Sequence, residues 1–120
     1  MRQKIRIAHL TSAHKRYDVR IYVKECVSLY KNGYDVSLIV ADGLGDEIID
    51  GIKIFDVGAS KNRKERFLVT SRKVYQKALQ LKCDIYHFHD PELIPVALFL
   101  RLFRKNVIYD IHVNIAFKLF

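Results

Sequence analysis

Asp84-Ile85-Tyr86-His87-Phe88-His89-Asp90-Pro91-Glu92-Leu93 decides the fold. Ile85, Tyr86 and Phe88 read as a short buried strand that stops on polar residues, and Pro91 stands where a helix can begin. Alternation along a strand puts Ile85, His87 and His89 on one face and Tyr86 and Phe88 on the other. The helix that follows, Glu92 to about Arg104, is nearly all apolar and is expected to be buried. Open parallel sheets bind their ligands at the carboxyl ends of strands, where this segment carries His89, Asp90 and Glu92.

Upstream, Lys4 to Thr11 (KIRIAHLT) reads as a strand with Ile5, Ile7 and His9 on one side and Ala8 and Leu10 on the other. Two apolar faces are expected of a central parallel strand covered by helices on both sides. Ser12 to Tyr17 is a polar loop, and Asp18 is placed to cap a helix from Val19 to Lys31. Val19, Tyr22, Val23, Cys26, Val27 and Tyr30 form its apolar stripe, and Gly33 suits its left-handed stop. Tyr34 to Ala41 is a second strand, Asp42 to Asp50 a loop, and Gly51 to Val57 a third strand near an edge. A basic stretch from Gly58 to Arg66 leads into a helix ending near Lys82 that buries Phe67, Val74, Tyr75, Ala78 and Leu81. The fifth strand is Val107 to Ile111. Strands alternating with helices predict an α/β fold, a doubly wound, mostly parallel five-stranded Rossmann-like sheet. The expected order is 3-2-1-4-5, with the first and fourth strands side by side.

The 120 residues suffice for one domain, half of them hydrophobic and 28% charged. Cys26 and Cys83 form no CxxC pair and fall in apolar surroundings, so buried free thiols in a reducing compartment are expected. The amino terminus lacks the apolar core of a secretory signal, and Leu93 to Leu100 is too short to span a membrane. The expected location is cytoplasmic, peripheral at the inner face of the membrane. A net charge of +8 suits an anionic partner. The interleaved aromatics and basic residues of a nucleic-acid module are absent.

The first loop has no glycine, which argues against dinucleotide binding there, and no phosphate-binding P-loop is present. His87, His89, Asp90 and His112 are metal-capable, but His87 should point into the interior, and no metal is expected. His89 can exchange hydrogen bonds with a sugar hydroxyl or a phosphate oxygen. Asp90 and Glu92 either bind hydroxyls or cap the helix.

Three segments carry a resemblance: Thr11-Ser12-Ala13-His14-Lys15-Arg16-Tyr17-Asp18-Val19-Arg20-Ile21 with Lys24-Glu25, then Asp84 to Leu93, then Tyr109-Asp110-Ile111-His112. In this order they resemble the amino-terminal domain of family 4 retaining glycosyltransferases. The resemblance implies a GT-B architecture, in which this half contacts the acceptor and a second half holds the nucleotide-sugar. It implies His89 as the catalytic residue beside the reacting sugar. Thr11, Ser12, His14, Arg16, Asp18, Asp90, Glu92 and His112 would line the substrate side. It also implies that no metal or other cofactor is needed, because helix ends and basic groups neutralise the departing diphosphate. The partners are then a nucleotide-sugar and a glycan or lipid-linked acceptor. Lys61, Arg63, Lys64 and Arg66, beside Phe67 and Leu68, suit peripheral membrane contact.

Val113 stands where the family pattern has an acidic residue. Residues 1–112 make the acceptor-side domain, 113–120 an apolar tail expected either to pack against a second copy or to be disordered, and the donor domain is missing. The 120 residues alone are therefore expected to be inactive. The alternative is a non-catalytic, flavodoxin-like binding or regulatory domain that docks through its basic surface.

Overall fold

The computed structural model describes residues 4–12, 15–90, 93–102 and 106–109. His14, Pro91, Glu92, Asp110, His112 and the tail expected at 113–120 lie outside them. Six strands form one sheet: β1 (Arg6–Leu10), β2 (Asp35–Val40), β3 (Glu47–Ile49), β4 (Ile52–Asp56), β5 (Ile85–Phe88) and β6 (Asn106–Tyr109). Their order is β3-β4-β2-β1-β5-β6, all parallel except the β3–β4 pair. The five expected strands keep the order 3-2-1-4-5, as β4-β2-β1-β5-β6, but Glu47–Ile49, in the expected loop, is an added edge strand that corrects the sheet to six strands. Asp50 and Gly51, at φ 54° and 81°, make the two-residue turn that folds β3 antiparallel onto β4. The expected adjacency holds, with Ile7 to Leu10 in register against Ile85 to Phe88.

Three helices cover the sheet. α1 runs through Val19–Val27 with hydrogen bonds spaced wider than in an α-helix, then through Ser28–Lys31 with ordinary spacing. The wider winding moves the inward positions. Ile21, Tyr22 and Cys26 are buried, whereas Val19, Val23 and Tyr30, expected in the apolar stripe, are exposed. α2 comprises Arg63–Glu65, Arg66–Thr70 and Ser71–Leu81. It starts earlier than expected because Asn62 accepts from the Glu65 N–H at 2.8 Å, while the Glu65 carboxylate reaches back to the Lys61 N–H. α3 is Ile94–Leu102.

Alternation along the strands then sorts the core. Ala8, Leu10, Ile39, Tyr86 and Phe88 pack under α2 and α3, against Val74, Ala78, Val96 and Leu100. On the opposite face Val36, Leu38, Val40, Ile52 and Ile54 pack under Ile21, Tyr22 and Cys26 of α1. Each buried Val, Leu, Ile or Phe among them contributes about 1.5–3 kcal/mol by leaving water. Tyr86 satisfies its hydroxyl within the core by donating to Ala78 O and accepting from Cys83 N–H. Cys26 and Cys83 are buried free thiols, as expected, and burial raises both pKa values.

Two further packing expectations fail. Phe67 is half exposed rather than buried, and Leu98, Phe99 and Leu102 of α3, expected to be buried, are exposed. Among the described residues no helix is long and apolar enough to cross a membrane.

Candidate functional site

Strand order reverses at β1, with β2 on one side and β5 on the other, the position where doubly wound sheets open a crevice. The segment after β1 is tied to both neighbours. Toward β5, the buried Asp90 carboxylate accepts from Thr11 Oγ1 at 2.5 Å and from Ser12 N–H at 2.8 Å. Asp90 also accepts the Leu93 N–H through its carbonyl oxygen at 3.1 Å. Toward β2, Arg16 is buried and donates Nε and Nη2 to the two Asp42 oxygens at 2.7 Å each, and Nη2 also to Gly45 O. The hydrogen bonds to Asp42 hold the Arg16 pKa above its ordinary value and the Asp42 carboxyl below its own. Burial pushes the nearby Asp56 carboxyl up, but N–H groups of Gly45, Gly58, Gly43 and Asp42 outweigh it, leaving the pKa low. Asp18 caps α1 by accepting the Ile21 N–H. Tyr22 donates to Asp50, and Tyr17 to Glu47, fastening the start of α1 to the β3–β4 hairpin.

The expected site residues therefore divide. Thr11, Ser12 and Asp90 meet, but as a buried brace between two loops. Arg16 belongs to a separate buried pair with Asp42. The expected placement of His89 at the rim is corrected. The chain keeps the direction of β5 for one residue past it, with His89 N–H donating to Leu10 O, so the imidazole stays on the His87 face and is fully buried. A ring expected at the rim beside a sugar lies under α1 instead. Lys15 and Tyr17 are the exposed side chains of this loop among the described residues, with Asp18 half buried.

Beneath the rim lies a cluster that the sequence reading met only in part. His9 faces His87 across the β1–β5 register, and His89 follows on the same face. His9 Nδ1 and His89 Nε2 are 2.8 Å apart, and Glu25 Oε2 of α1 lies 3.8 Å and 3.6 Å from them. The His87 ring stacks on His89 with centroids 4.4 Å apart. Burial, with His87 beside it, lowers the His9 pKa to about 3, so the ring is neutral. A cavity of about 500 Å³ opens beside the cluster, with His9, Glu25, His87, Ile85 and Tyr34 on its wall. His9 and Glu25 were missed, although the KIRIAHLT and DIYHFHD strand endings, laid side by side, set His9 opposite His87. Glu25 needed the winding of α1, which nothing in the sequence declares.

The basic residues sit on another surface. Lys61, Arg63 and Lys64 are exposed at the start of α2, and Arg66 is half buried. Next to them Phe67, Leu68, Tyr75, Pro95, Val96 and Phe99 line a groove of about 540 Å³ between α2 and α3.

Fold and site define the class: a doubly wound α/β domain whose loops at the switch point are braced to each other, with a basic, apolar face on α2 and α3. No family model matches the chain, and no curated protein matches it significantly.

Proposed function

We propose that this chain is the acceptor-side domain of a retaining glycosyltransferase. One observation carries the reading. Thr11 and Ser12 of the first segment that resembles the family, and His89 and Asp90 of the second, follow the carboxyl ends of adjacent strands where the sheet reverses, joined through Asp90. Because Thr11, Ser12, Arg16 and His89 are buried, the acceptor meets Lys15, Tyr17 and Asp18. The Tyr17 ring offers an apolar face for a sugar, and Lys15 a cation for a phosphate.

Backbone amide NMR of the chain tests this with water-soluble oligosaccharide and sugar-phosphate acceptors, and separately with nucleotide-sugars. Acceptors should shift Lys15, Tyr17 and Asp18, nucleotide-sugars should leave them unmoved, and Tyr17→Ala should weaken acceptor binding about tenfold, worth about 1.4 kcal/mol. Silence toward every acceptor overturns the reading.

The α2–α3 face suits a membrane that carries a lipid-linked acceptor. Phe67, Leu68, Leu98, Phe99 and Leu102 are exposed beside Arg63, Lys64, Arg72 and Arg101. Apolar insertion and attraction to anionic lipid then act together, each exposed basic residue adding about 1 kcal/mol. Sedimentation with vesicles should show binding to phosphatidylglycerol that fades with salt, and little binding to phosphatidylcholine. Phe67→Glu with Phe99→Glu should abolish it.

A second reading, the non-catalytic docking domain, is favoured by one fact: Arg16, His89 and Asp90 are all taken up by contacts inside the chain. Vesicle binding without any acceptor shift would select it.

A further inference from the structure

We infer that His9, Glu25, His87 and His89 form a zinc site that clamps α1 to β1 and β5. The ligand atoms of these four residues all lie within 4.8 Å of one another. Three of them already have the spacing of a coordination sphere. His9 Nδ1, His89 Nε2 and Glu25 Oε2 form a triangle with edges of 2.8, 3.6 and 3.8 Å. The point equidistant from its corners is about 2.0 Å from each, the length of a Zn–N or Zn–O bond. A cation at that point is held by all three atoms at once.

His87 supplies the fourth ligand by a small turn of its half-buried ring, closing the widest pair toward a tetrahedral edge of roughly 3.3 Å. Three imidazoles and one carboxylate suit Zn²⁺ better than Mg²⁺ or Ca²⁺, which prefer oxygen. Binding displaces the hydrogen shared by His9 Nδ1 and His89 Nε2, and the ring that carried it takes its other tautomer. The cavity walled by His9, Glu25 and His87 is the route for the ion. With four protein ligands the site is closed, so the metal holds structure and takes no part in sugar transfer. The inference stands whether or not the chain meets an acceptor.

The test is calorimetric titration of Zn²⁺ into the chelator-stripped chain, with melting followed in parallel. One ion per chain, micromolar affinity or tighter, and a higher Tm are expected. Glu25→Gln and His87→Gln, both at part-exposed positions, should each weaken binding at least about tenfold, while the metal-free Tm stays close to that of the parent. No binding, or binding that neither variant weakens, overturns the inference.

Discussion

Replacing Arg16 with methionine lowers the unfolding free energy at neutral pH by about 3 kcal/mol, the lower end of what breaking a buried ion pair costs. The guanidinium is 5% exposed and the Asp42 side chain 18%, so the pair is poorly screened by water. The variant loses two charge-assisted hydrogen bonds to Asp42 and one to Gly45 O. It also releases the anchor between the loop after β1 and the segment leading into the β3–β4 hairpin. The effect depends on pH in a defined direction. Asp42 has a folded pKa below its unfolded value of about 3.9, so its contribution is complete above that value and disappears as pH falls through the folded pKa. Urea unfolding of both proteins should show a wide stability gap at pH 7 that narrows below about pH 4. A constant gap would place the role of Arg16 in packing rather than in its charge.

Much of this fold was legible because alternation is a local signal. Ile85, His87 and His89 against Tyr86 and Phe88, and Ile7 and His9 against Ala8 and Leu10, sorted onto their two faces without tertiary information. The β3–β4 hairpin was also legible and was passed over: Asp50-Gly51 between Ile49 and Ile52 is a strong hairpin signature. Other features were hidden for physical reasons. The winding of α1 shifts its buried face to Ile21, and the residue pattern fits ordinary helical spacing equally well. The burial of His89 depends on pairing that persists one residue beyond β5, which no residue type announces. The Arg16–Asp42 pair joins residues 26 positions apart, and no local pattern links a residue expected on the substrate side to one in a distant loop.

The same limit explains Asp90, whose sequence context suited ligand binding and helix capping alike. Asp90→Ala should cost about 3 kcal/mol, since it removes hydrogen bonds of a charged acceptor to Thr11 Oγ1 and Ser12 N–H. The consequence reaches further than one loop. Asp90 is 3% exposed and joins the ends of β1 and β5 across 79 residues of chain. Without it, the backbone amides of Ser12 and Leu93 should exchange with solvent faster than those of β2 and β4. Both bonds reach the same oxygen, Oδ2, so Asp90→Asn can keep them on its one amide oxygen while losing the negative charge. It should recover part of the lost stability and none of the charge assistance. Denaturant unfolding of the two variants, with hydrogen exchange at Ser12 and Leu93, measures both effects. A carboxylate serving a ligand would behave in the opposite way: its removal would leave stability nearly unchanged and weaken acceptor binding alone. A loss confined to binding would return Asp90 to the substrate surface, whereas a loss of stability with faster exchange at both loops makes it the brace that holds the two loops together.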